Sequence, residues 1–317
     1  MSNKRSIIPL LGAPGARLTG TSLRENLTNA EVQFKSLSRL MNDFHPDGLF
    51  FMMDLTVEAE ALGLEIAFPE DDNPYVKKHP VKGPEELASI ENSWKGVTKR
   101  MKVFTDVAAM MANELPEIKG SYVIGPFSLA GELVGVTDLC MKLIEEPDFA
   151  QRVIAFCTKV VIEYSKALID NGTDLIAVLE PTAVLLSKKQ FSRFALDYFE
   201  EIKSNISTPL VYHICGNTEH IIDMMGNSGA YGLSLDSVID LKNAAKKIPK
   251  DVYLIGNIDP VGVFLQSNEK DVEIATENLL NNMEGVPNFI LSSGCDIPLE
   301  TPPKNISAFM RTARNYK

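Results

Sequence analysis

Three side chains able to bind a metal stand at the ends of two apolar runs. Pro209-Leu-Val-Tyr-His-Ile-Cys-Gly216 reads as a short buried strand carrying His213 and Cys215 at positions i and i+2. In an extended strand such positions project to the same side, so both ligands can face one point in space. Far downstream, Asn288-Phe-Ile-Leu-Ser-Ser-Gly-Cys295 also ends in a cysteine. One imidazole nitrogen and two thiols form a donor set that suits zinc, and three protein ligands leave a fourth position open, the layout of a catalytic site. Against this stands a plainer reading, in which both cysteines are small buried hydrophobes and His213 is a hydrogen-bonded core residue. The convergence of all three at strand ends favours the metal.

Two carboxylates could complete the set. Asp236 follows the run Gly232-Leu-Ser-Leu235, and Glu180 follows Asp174-Leu-Ile-Ala-Val-Leu179. Either could take the fourth metal position until substrate displaces it, or simply accept a hydrogen bond from a neighbouring loop. Asp54, after Asp47-Gly-Leu-Phe-Phe-Met-Met53, could bind substrate or orient a ligand imidazole. His220 falls on an expected helix after Gly216-Asn217. His45 and His79 precede prolines and read as loop residues, while Cys140 and Cys157 sit inside helical patterns as packed thiols. Gly12-x-x-Gly15 lacks both the preceding long strand and the third glycine of a dinucleotide loop.

The elements that must position these residues alternate. Counted from residue 47, eight strand-like runs occur, at 47–53, 64–68, 121–125, 174–179, 209–215, 232–235, 252–255 and 289–292. Helical patterns separate most of them. A helix from Pro147-Asp148 to Asn171-Gly172 keeps helical period at Phe149, Val153, Phe156, Val160 and Leu168, and Ser187-x-x-Gln190 is a capping box ahead of Phe191, Phe194, Tyr198 and Ile202. After a polar loop around Pro69 to Pro84, helical sequence also runs through Trp94 to Leu115. Near the start, Gly12-Ala-Pro-Gly-Ala-Arg17 reads as a loop and Thr28-x-x-Glu31 as the cap of a helix ending at Pro46.

Such alternation predicts parallel strands with crossover helices, and eight units match a (β/α)8 TIM barrel. The expectation is therefore an α/β protein with a single domain over residues 1–317, of which 1–46 form an N-terminal helical extension. Active sites of that fold sit at the carboxyl ends of the strands, where Asp54, Glu180, His213, Cys215, Asp236 and Cys295 all fall.

Composition narrows the class. A net charge of −11 over 317 residues opposes binding to a phosphate backbone, so no nucleic acid partner is expected. No run of eighteen apolar residues occurs and no leader pattern follows Met1, which points to a cytoplasmic protein with no membrane contact. Four cysteines in a chain of this length read as thiols or ligands rather than as a disulfide framework.

With these residues in view, the sequence resembles the uroporphyrinogen decarboxylase superfamily over nearly its full length. Its details look most like the zinc-dependent methylcobamide:coenzyme M methyltransferase branch. The resemblance rests on His213-x-Cys215 with the distant Cys295, and on Gly125-Pro126-Phe127 and Glu180-Pro181 after their strands. It implies a (β/α)8 barrel whose zinc, held by His213, Cys215 and Cys295 with Asp236 in the position of a further ligand, binds an acceptor thiol. The methyl group would arrive on methylcobalamin or a separate corrinoid protein, and Co(I) would leave. The acceptor would be coenzyme M, another thiol or a pterin, with Arg17 and Asn217 as candidates to hold it. A decarboxylase branch, using Asp54 beside a tetrapyrrole, is the alternative, but Gly12 to Arg17 carries a single arginine where several substrate carboxylates would need cations. A non-catalytic corrinoid-binding barrel is the third reading.

Overall fold

The computed structural model describes residues 5–316. Seven strands form one parallel sheet: β1 (Gly48–Phe50), β4 (Ile118–Ile124), β5 (Leu175–Leu179), β6 (Leu210–Ile214), β7 (Gly232–Leu235), β8 (Tyr253–Ile258) and β9 (Phe289–Ser293), in that spatial order. Two further strands, β2 (Ile66–Ala67) and β3 (Tyr75–Val76), pair antiparallel in a separate ribbon. The sheet strands are almost wholly buried. Burial on both faces explains why they read as continuous apolar runs rather than as alternating ones.

The run at 64–68 is therefore not a member of the main sheet as expected. Its few apolar residues are followed by Pro69 and four exposed polar ones, so it can pair only locally with β3. The segment before the first expected strand joins the sheet instead. Ile7 bridges Leu291 of β9 in parallel, and the Ile7 carbonyl accepts from the Asp47 N–H beside β1. Ile8 and Leu10 face the same interior as Phe50, Tyr122, Ala177 and Ile255. The stretch expected to lie in an extension thus touches both edge strands of the half-barrel.

Local deviations have local causes. Residues 14–19 form a short helix instead of a loop, with Pro14 at its first turn and Gly20 in the left-handed conformation at its end. The helix Ala30–Phe44 is capped by Asn29, whose side chain accepts from Glu31 and Val32, rather than by Thr28, which ends the preceding helix. The expected helix through Trp94 to Leu115 is two helices, Pro84–Ser93 and Arg100–Glu114, broken where Lys99 takes a positive φ of 48°. The helix Pro147–Asp170 runs as expected and buries Val153, Cys157, Val160, Tyr164 and Leu168. No helix among the described residues is long and apolar enough to cross a membrane.

Packing fixes the strand that carries His213. Tyr212 points to the opposite face of β6, where its ring stacks on Phe199 with centroids 4.1 Å apart. That leaves the Tyr212 hydroxyl buried without a hydrogen-bond partner. An orphaned buried hydroxyl costs roughly 1–3 kcal/mol. Tyr212→Phe keeps the stacked ring and removes the orphan, so denaturant unfolding of the variant is expected to show a stability gain of roughly 1 kcal/mol; a loss of similar size would mean the hydroxyl is paired in solution.

Candidate metal centre

Parallel register places His213 between Leu179 of β5 and Ser234 of β7. Ser234 Oγ stands 2.9 Å from His213 Nδ1, which turns Nε2 toward the strand end. There it meets Cys215 Sγ at 3.0 Å and Cys295 Sγ at 3.8 Å, and the two sulfurs lie 3.5 Å apart. All three donor atoms fall within 4.8 Å of one another. With bond lengths of about 2.3 Å to sulfur and about 2.0 Å to nitrogen, tetrahedral zinc would want roughly 3.8 Å between sulfurs and roughly 3.6 Å between sulfur and nitrogen. The donor atoms need to move by only tenths of an ångström to hold such an ion.

The protons in this cluster are shared unequally. The hydrogen bond from Cys295 lowers the pKa of Cys215, while burial and Asp236 oppose that shift. Cys295 is pushed the other way, first by its bond to Cys215 and then by burial. Burial works against a charged His213, yet its contacts with Cys295 leave its pKa raised. One thiol thus gives up its proton ahead of the other.

The remaining candidates occupy other places. Asp236 is not in the donor cluster. Its Oδ2 accepts from the Gly216 N–H at 2.8 Å and its Oδ1 from the Val238 N–H at 3.1 Å, so it ties the loop after Cys215 to the loop after β7. Asn257 Nδ2 donates to the carbonyls of Asp236 and Ile239 and fixes that second loop. Gly294 lets the chain leading to Cys295 pass close to it, since a Cβ there would lie 2.6 Å from the Ser237 nitrogen.

Glu180 is fully buried and its carboxylate accepts from the Phe127 and Ser128 N–H groups at the start of the helix Pro126–Val134. A Cβ at Gly125 would collide with that carboxylate. Gly125-Pro126-Phe127 and Glu180-Pro181 are therefore two halves of one device, a buried anion seated on a helix N-terminus. Burial still raises the Glu180 pKa to about 7.

Asp54 accepts from Thr56 at 2.7 Å and pairs with Arg100, whose Nε also bonds Glu60 at 2.9 Å. Neither the imidazole nor the thiols touch it. Sequence reasoning missed Arg100 on Asp54, Glu58 on the Ile124 N–H, and Ser234 on His213. Arg100 did carry a signal, because a cation in the first turn of a helix opposes the helix dipole and needs a partner elsewhere. Arg17 donates to the Glu300 carbonyl at 2.7 Å, and Asn217 accepts from Glu219 to close a turn, so neither side chain is turned to the thiols. His220 lies in that turn rather than on a helix, its Nε2 2.9 Å from the Leu186 carbonyl.

A cavity of about 350 Å³ opens beside Cys295, lined by Met53, Asp54, Asp296 and Pro298 among others. Cys295 thus links the donor cluster to a space large enough for a small molecule.

Residues 7–316 match the family model described as uroporphyrinogen decarboxylase (URO-D). A Methanosarcina mazei protein named methylcobamide:CoM methyltransferase MtbA is 33% identical over 273 residues, covering 83% of this chain and 78% of that protein. A Prochlorococcus marinus uroporphyrinogen decarboxylase is 24% identical over 91% of this chain and 85% of its own length. A solved methyltransferase from Methanosarcina mazei superposes with a TM-score of 0.89, covering 99% of this chain and 94% of the other at 23% identity, and so shares the fold. The chain belongs to the uroporphyrinogen decarboxylase family.

Glu58 offers a test of the rim network. It is buried and accepts from the Ile124 N–H at 2.9 Å. Burial, opposed by that bond, raises its pKa from 4.5 to about 8. The folded state therefore holds this proton more tightly than the unfolded chain does. The corresponding stability is complete below pH 4.5 and drains away as pH rises toward about 8. Glu58→Gln keeps an acceptor for Ile124 and removes the titration. Urea unfolding should show the variant gaining on the natural protein between pH 5 and 8.5, by a few kcal/mol at most (~1.4 per pH unit); parallel stability curves would contradict this.

Proposed function

We propose that this member of the uroporphyrinogen decarboxylase family moves a methyl group from a methylated corrinoid, carried by a separate corrinoid protein, to a thiol such as coenzyme M. The observation that carries the reading is the convergence of His213 Nε2 with the sulfurs of Cys215 and Cys295, the last of which lines the cavity. It is supported by the relative named a methylcobamide:CoM methyltransferase, whose length the chain covers to 78%.

The donor set fits zinc by type and spacing, and His213, Cys215 and Cys295 would hold it. Bound there, zinc would keep an acceptor thiol deprotonated at neutral pH, where a free thiol of pKa about 8.5 is mostly protonated. The chain's own residues do the rest. A His213 Nδ1–H donated to Ser234 Oγ leaves the Nε2 lone pair free as a ligand. Asp236, holding the Gly216 N–H, keeps Cys215 from swinging out with its loop. Glu180 seats the Gly125–Ser128 turn, and Asp54 with Arg100 shapes the opposite rim; both serve as positioning residues. In the transfer an S–CH3 bond forms as the Co–CH3 bond breaks, its electron pair stays on cobalt as Co(I), and the thiol proton passes to water.

The contacts of Ser6 to Ile8 with both β9 and Asp47 support reading that segment, in place of 64–68, as the eighth stave of a closed (β/α)8 barrel. Closure would leave the carboxyl-terminal rim free for the corrinoid partner.

The test combines metal and turnover. The purified protein should contain about one zinc per chain, and Cys215→Ser should lose it. Mixed with methylcobalamin and coenzyme M, the metal-loaded protein should generate Co(I) absorbance and the methyl thioether, with the variant slower by at least about a hundredfold. Full metal content without Co(I) formation by any thiol would overturn the reading.

A further inference from the structure

One loop separates the two chain ends that carry the thiols. On one side of it, Asp236 Oδ2 accepts from the N–H of Gly216, the residue after Cys215, at 2.8 Å. On the other it lies against Gly294, the residue before Cys295, so closely that a Cβ there would come 2.6 Å from the Ser237 nitrogen. The Gly294 N–H in turn donates to the carbonyl of Ile258, at the end of β8, at 2.8 Å. Residues 236–239 therefore form a spacer between Cys215 and Cys295. The spacer is held from β8 by one buried side chain, Asn257. Its Nδ2 donates to the carbonyl of Asp236 at 2.9 Å and to that of Ile239 at 2.7 Å, so one amide group grips both ends of the turn. An amide NH2 supplies two N–H donors, whereas a carboxylate of the same shape supplies none. These bonds end on the two carbonyls, one loop away from the sulfurs.

Resting on the zinc reading of the cluster, we propose that Asn257 is a positioning residue for the metal: by fixing residues 236–239 it sets the gap between the sulfurs of Cys215 and Cys295. Those sulfurs stand 3.5 Å apart, within tenths of an ångström of the roughly 3.8 Å that tetrahedral zinc wants. Releasing the spacer loosens Cys215 through Gly216 and Cys295 through Gly294 together. A metal then has to order two thiols that the fold no longer holds in advance, and binds more weakly. A purely structural role would have another signature. A residue that stabilises the metal-free and metal-loaded folds equally cannot change the dissociation constant, whatever it does to unfolding.

Two variants act on the spacer from opposite sides. Asn257→Asp keeps the size of the side chain and removes both donors, while Gly294→Ala drives a methyl group against the Ser237 nitrogen. Zinc dissociation constants from chelator competition, and absorption spectra of the cobalt(II)-loaded proteins, are compared with those of the natural protein. Each variant should hold zinc about ten- to a hundredfold more weakly. The thiolate-to-cobalt charge-transfer band should weaken and the d–d bands should shift. Because both changes act through one spacer, the double variant should lose less than the product of the two single factors. If Asn257→Asp does not fold, Gly294→Ala carries the same prediction. Unchanged zinc affinity and an unchanged cobalt spectrum in a folded variant, even one with a lower unfolding midpoint, would overturn the inference and leave the metal centre standing. No zinc binding by the natural protein would overturn both.

Discussion

The curvature of the parallel sheet is the constraint on which the site depends. Cys215 follows β6 and Cys295 follows β9, 80 residues later in the chain and three strand steps away in the sheet. In a flat sheet those steps would separate them by about 14 Å. The sulfurs stand 3.5 Å apart because the strands curl around a shared interior. Ile8, Leu10, Phe50, Tyr122 and Ile290 fill that interior, so the apolar packing that stabilises the fold also brings the donors together. His213 sits at the junction, its ring among these apolar side chains and its Nε2 beyond them.

Around this core the rim is organised by buried charge, each instance compensated differently. Asp54 is matched by Arg100. Glu180 is matched by backbone N–H groups at a helix start, where the aligned peptide dipoles favour an anion. Glu58 accepts from the Ile124 N–H, and burial raises its pKa further than that of Glu180, to about 8. Carboxylates removed from water at such cost are kept where they hold loops in one arrangement, and Asp54 among them lines the cavity. Pre-organisation of this kind lets ligand-binding atoms wait in place without reorganising when a substrate arrives.

Much of this was legible in the sequence, and the exceptions have physical reasons. Strands β4 to β9 announced themselves because burial on both faces makes them apolar throughout, and the donors announced themselves because polar residues ended those runs. The edge of the sheet did not. Ser6 to Ile8 is too short to stand out as a strand, while 64–68 has a similar local pattern and a different fate, decided by which edge remained unpaired. Carboxylate roles were legible only as places. Asp236 and Glu180 stand at strand ends as ligands would, yet their oxygens face backbone N–H groups contributed by other loops, which no spacing along the chain encodes. Gly125 and Glu180 showed as separate motifs, and only the fold reveals them as one contact.

The most direct test of the central claim is X-ray absorption at the zinc edge of the metal-loaded protein. The account predicts two sulfur ligands at about 2.3 Å and at least one imidazole nitrogen at about 2.0 Å, with a third sulfur appearing when an acceptor thiol is added. A first shell made only of nitrogen and oxygen, or one unchanged by the thiol, would contradict it.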